Sequence, residues 1–118
     1  MITRINNYIP SFKKAYIKDD SSRKNIDDVF NTNFKKKAFQ HEMAMLYKMS
    51  GSTDIFLSAQ QADENDNGER VYELKITDKN DKTLVMGMMV SNKDSAILLN
   101  STLAILNNIL KPQLEDKY

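Results

Sequence analysis

The stretch VYELKITDKNDKTLVMGMMV, residues 71–90, decides how this chain folds. Its first seven residues alternate, with Tyr72, Leu74 and Ile76 on one side and Glu73 and Lys75 on the other. That period of two is the mark of a half-buried strand. Asp78-Lys79-Asn80-Asp81-Lys82 has the composition of a hairpin turn, and residues 83–90 return as a strand apolar on both faces. Strict alternation places Leu84, Met86, Met88 and Val90 on one side of it and Val85 and Met89 on the other. Upstream, Ile55, Leu57 and Ala59 alternate with Phe56, Ser58 and Gln60, which predicts a preceding strand in competition with a short helix from Thr53. The expected sheet is a three-stranded antiparallel meander.

Helical periodicity flanks the meander. Thr32 or Asn33 can cap a helix over about 33–49, whose apolar face is Phe39, Met43, Leu46 and Tyr47. Ser50-Gly51-Ser52 stops it. After the meander, Ser91 with Asp94 resembles a capping box in which Asp replaces Glu. Leu99, Leu103, Leu106 and Leu110 then form a stripe that Ile105 and Ile109 widen, and Pro112 ends a helix of about 93–110. The predicted class is α+β, one sheet face covered by two helices. Residues 32–118 form this single domain. Residues 1–31, with sparse anchors such as Ile26, Val29 and Phe30, are expected to be a basic arm that is weakly docked or mobile.

Composition narrows the function. The chain has 118 residues, 41% apolar and 28% charged, which suits one domain with one modest core. It has no cysteine, which excludes disulfides, thiolate metal sites and cysteine nucleophiles. No apolar run approaches a membrane span and Met1-Ile2-Thr3-Arg4 does not open a signal peptide, so a cytoplasmic location away from membranes is expected. The net charge of +1 hides an asymmetry: residues 1–37 carry nine Lys/Arg against four Asp/Glu, and residues 38–90 carry five against nine.

Catalytic chemistry finds little footing. The single histidine, His41, has Glu42 about 100° away on its helix, so the two do not pair. His41-Glu42-Met43-Ala44-Met45 opens like a zinc-protease motif but has Met45 where a second histidine is needed. No cofactor is expected, and catalytic residues are assigned to none. Asp63, Asn65, Asn67 and Gly68 match the first half of a calcium loop, yet position twelve is Leu74, so the weak calcium candidate reads better as a solvated turn.

Two binding chemistries remain. Lys13, Lys14, Arg23, Lys24 and the triplet Lys35, Lys36, Lys37 are interleaved with aromatics, as in nucleic-acid sites. The triplet opens a helix, where the macrodipole disfavours cations, and the acidic loop 63–69 offers it a partner. Six of the seven methionines fall at 43, 45, 49, 86, 88 and 89, and unbranched thioethers suit adaptable contact surfaces. The expected function is therefore a non-enzymatic protein-interaction module, adaptor- or chaperone-like and a homodimer. Its surface is Val85, Met86, Met88, Met89, Met45 and Met49, its partner a polypeptide. The alternative is a small nucleic-acid-binding regulator using residues 13–37.

Overall fold

A computed structural model describes residues 15–49 and 54–117. The elements run β1 (Ala15–Ile17), α1 (Asp20–Val29), α2 (Asn33–Met49), β2 (Ile55–Glu64), β3 (Arg70–Asp78), β4 (Thr83–Ser91) and α3 (Ala96–Lys117). The α+β class holds, but the sheet is mixed and has four strands in the order β1-β2-β3-β4. The additional strand is β1, parallel to β2 with Ala15 opposite Ile55 and Ile17 opposite Leu57. A three-residue strand carries no periodicity to read, which is why alternation alone did not reveal it.

Residues from the expected arm complete this packing. Asp19 caps α1 by accepting from Ser22 N at 2.8 Å. The helix then continues the edge contact begun by β1. Lys18 N donates to Leu57 O, Ala59 N donates to Ser22 Oγ at 3.1 Å, and Asn25 Nδ2 donates to Ala59 O at 2.7 Å. Polar side chains thus take over where the short parallel strand stops, and the β2 edge stays paired. Ala15, Ile17, Ile26, Val29 and Phe30 are all buried in the core, with the Phe30 ring 4.8 Å from that of Phe39. Residues 1–14, the rest of the expected arm with Lys13 and Lys14, lie outside the described residues.

The three strands read from alternation form the antiparallel part of the sheet, in which Leu57 faces Ile76, Ala59 faces Leu74, Leu74 faces Met88 and Tyr72 faces Val90. Residues 55–64 are strand, so the competing helix is not formed. Helix α2 has the predicted bounds, with Lys35 N donating to Thr32 Oγ1. Helix α3 departs from expectation at both ends. Its start is capped by Ser95, whose Oγ accepts from Leu98 N, while Ser91 and Asp94 close the turn before it. At the other end Pro112 lies inside the helix, which continues to Lys117. Buried Leu114 and the bond from Gln113 Nε2 to Leu84 O anchor the extra turn, so tertiary contacts outweigh the hydrogen bond that proline cannot donate.

Candidate interaction surface

Strand β4 is the outer edge of the sheet, and its alternation is broken twice. Opposite Leu74 and Ile76 stand Met88 and Val85, and opposite Ile76 and Thr77 stand Val85 and Thr83, so β4 carries an extra residue in each interval. Gly87 takes the first irregularity at φ 81°, a left-handed conformation that side chains disfavour. The first bulge re-aims Met86, while Met88 and Met89 keep the regular alternation with Val90. Val85 and Val90 are buried and Met88 packs against the core, whereas Met86 and Met89 are 64% and 53% exposed. Of the expected grouping of Leu84, Met86, Met88 and Val90 on one face, Met86 is the member that turns outward, and Val85 is core rather than contact surface. Bulges also blunt the first half of the edge against strand addition, which leaves side chains rather than free backbone as its main offering.

Helix α3 supplies the neighbouring apolar surface. Its leucines at 99, 103, 106, 110 and 114 are buried, but Ile105 and Ile109 are exposed. At 100° per residue, Leu98, Thr102, Ile105 and Ile109 form a second stripe on one flank of the helix. Asn107, bonded to Glu42 of α2, lies on the opposite flank, so the stripe is turned away from α2. The α3–β4 packing and the Gln113–Leu84 bond bring this helix beside β4. Five exposed apolar side chains, Met86, Met89, Leu98, Ile105 and Ile109, thus belong to these two adjoining elements, the methionines on the sheet face turned away from the core and the others on the outer flank of α3.

The groove between α2 and α3 holds a different chemistry. It encloses about 260 Å³ and is lined by Glu42, Met45, Ala104, Asn107, Asn108 and Lys111. Asn107 Nδ2 donates to Glu42 Oε1 at 2.6 Å and to Glu42 O at 3.3 Å. Its Oδ1 is buried with no hydrogen-bond partner, a condition that costs about 1–3 kcal/mol. Met45 is exposed beside this groove, well away from the β4 margin, and the side chain of Met49 lies outside those described.

A third constellation ties α1 to the end of the sheet. Asp28 accepts from Arg70 Nε at 2.7 Å, Arg70 Nη2 at 2.9 Å and Tyr72 OH at 2.6 Å. The hydrogen bonds from Arg70 hold the Asp28 carboxyl below its ordinary range despite the opposing effect of burial. Burial, then the bond to Asp28, pushes the Tyr72 phenol up. Arg70 N donates to Asn92 Oδ1, and Asn92 O accepts from Asn31 Nδ2 and Lys35 Nζ. Lys35 therefore meets the loop after β4 rather than the acidic loop expected to face it. Asn92 also places the starts of α2 and α3 at one end of the molecule, so these helices run broadly parallel. Neither Asp28 nor Arg70 belongs to any local motif; only the fold, joining residues 42 positions apart, reveals the pair.

The remaining candidates are dispersed. Arg23 Nη2 lies 3.5 Å from Asp20, Lys24, Lys36 and Lys37 are exposed, and His41 is exposed on α2. In the loop after β2, Glu69 N donates to Asn67 Oδ1, Glu64 N donates to Asp63 Oδ1, and Asn65 Nδ2 donates to Glu69 Oε1. Those oxygens and amides hold the hairpin itself. No saturable calcium binding is expected by calorimetry at millimolar metal; a site lost in Asp63→Ala would contradict this.

Among the described residues, no helix is long and apolar enough to cross a membrane and no cluster of three metal-ligating side chains occurs. No family model matches this chain, and neither a curated protein nor a solved structure does.

Proposed function

We propose that this chain is a non-enzymatic protein-interaction module, adaptor- or chaperone-like, that pairs with a second copy of itself through the β4–α3 margin and binds a polypeptide. The observation that carries this reading is the set of exposed apolar side chains on the adjoining β4 and α3: Met86, Met89, Leu98, Ile105 and Ile109. Large apolar groups on adjoining elements lose most by staying in water, and flexible thioethers adapt to the surface that covers them. The lone His41 is exposed while Glu42 is turned into α3, which supports a role without acid–base chemistry.

Light scattering should give roughly twice the 13.6 kDa chain mass. Met89→Lys and Ile105→Lys change exposed positions, so both should fold. Each should weaken pairing by about 2 kcal/mol, roughly thirtyfold in the dissociation constant, by placing a charge at the contact. A wild-type chain that stays at single-chain mass would overturn the dimer. Retention on DNA that falls steeply with salt, and is lost in Lys36→Ala with Lys37→Ala, would point instead to a nucleic-acid-binding regulator in the cytoplasm.

A further inference from the structure

The outer face of the helical layer carries an inference that rests on the reading that this chain binds a polypeptide. We propose that the α2–α3 groove seats an acidic amphipathic helix of the partner, with its apolar stripe in the groove and its carboxylates on the lysines beside it. The groove, with Met45 and Ala104 on its walls, continues towards the helix starts. On α2, Phe34, Ala38 and Met45 recur at i, i+4 and i+11, so at 100° per residue they fall within about 40° of one line. On α3, Ile97 and Ala104 recur at i and i+7, about 20° apart. Lys35 meets Asn92 at the starts of the helices and Glu42 meets Asn107 midway, so the two lines run side by side. Phe34 and Ile97 are 78% and 81% exposed, more than any other large apolar side chain described. The track from Phe34 to Met45 is about three turns long, roughly 16 Å.

Charge selects the kind of helix. Through residue 114, α2 and α3 carry Lys35, Lys36, Lys37, Lys48 and Lys111 against a single acid, Glu42; Glu115 and Asp116 follow only past Lys111. Glu42 is 9% exposed and takes the Asn107 amide, so its charge is turned into the helix pair. Lys37 and Lys48 are exposed and flank the Phe34–Met45 line on its solvent side, and the exposed Lys111 lines the groove. None of these three makes an ion pair among the described residues. A partner helix with apolar groups at helical spacing takes Phe34 and Ile97 out of water, and acids on its flanks meet the lysines. A second copy would bring the same lysines against them. A nucleic-acid backbone matches the lysines but leaves the apolar track uncovered, and a flat bilayer leaves the groove unfilled.

The test titrates the full chain with a fluorescent peptide of about 15 residues, with leucine at i, i+4, i+7 and i+11 and glutamate between. Saturable binding is expected. It should weaken about tenfold in Lys37→Glu with Lys48→Glu, and by a similar factor in Phe34→Ala with Ile97→Ala. A counterpart peptide with lysine in place of glutamate should not bind. All four substituted positions are exposed, so thermal midpoints should stay near wild type. Ile105→Lys, on the other flank of α3, should leave the peptide's affinity unchanged. The proposal is overturned by no saturation in the wild type, by equal binding of the lysine counterpart, by undiminished binding in either double variant, or by loss in Ile105→Lys. Binding of phosphatidylserine vesicles or DNA in place of the peptide, with the same lysine dependence, would assign the face to those anions and overturn it too. Light scattering reads the pairing surface separately, so a dimer that binds no peptide distinguishes failure here from failure of the dimer.

Discussion

Removal of residues 1–31 is expected to abolish cooperative folding. The deletion takes away β1 and α1, and with them the buried side chains Ile17, Ile26, Val29 and Phe30. At about 1.5–3 kcal/mol for each fully buried side chain, their loss removes roughly 6–12 kcal/mol of apolar stabilisation. A domain of this size has about 5–15 kcal/mol in total. The deletion also strips the partners of Ala59 N, Ala59 O and Leu57 O, leaving the β2 edge open. The 32–118 chain should lack a thermal transition by circular dichroism, while the full chain melts cooperatively. A truncated chain that melts sharply would show that β1 and α1 are dispensable and would restore a boundary at residue 32. Phe30→Ala isolates one contribution: its ring is buried against Phe39, and truncation should cost about 3–5 kcal/mol.

Asp28→Ala is expected to lower stability by about 2–3 kcal/mol, roughly 10 °C in Tm for a domain of this size. The substitution removes the acceptor of three bonds, two from the half-buried Arg70 and one from the buried Tyr72, and leaves their donors unpaired. The three are not additive, and the Arg70 side chain is about a third exposed, so the figure sits well below three full charged bonds. The same cluster sets a pH dependence. The folded Asp28 pKa is depressed, so its stabilisation is present above the unfolded carboxyl value of about 3.9 and is lost as pH falls through the lower folded value. The Tyr72 pKa is raised, so its contribution is complete below about 10 and disappears as pH rises through the folded value. Denaturant titrations from acid to alkaline pH should show a plateau between these limits. Asp28→Ala should flatten the acid limb relative to wild type; an unchanged acid limb would show that the cluster does not set it.

What could be read from the residues alone was whatever repeats locally. Tyr72, Leu74 and Ile76 and the leucines at 99, 103, 106 and 110 recur at the strand and helix periods, and all are buried. The bounds of α2 followed from Thr32 and the Phe39–Leu46 face for the same reason, since capping and periodicity need only neighbouring residues. Features built from distant residues were decided by the tertiary structure. A three-residue β1 has too few positions for a pattern, and it pairs with β2 forty residues later. Pro112 stays within α3 because Leu114 and Gln113 find partners across the fold. The exposure of Met86 was settled by the bulge at Gly87, since one extra residue in a strand reverses the side chains beyond it, whereas Met89 follows simple alternation with Met88 and Val90. The Glu42–Asn107 and Asp28–Arg70 pairs have no local signature at all, because hydrogen bonding depends on distance in space and the chain brings those residues together only once the helices have packed on the sheet.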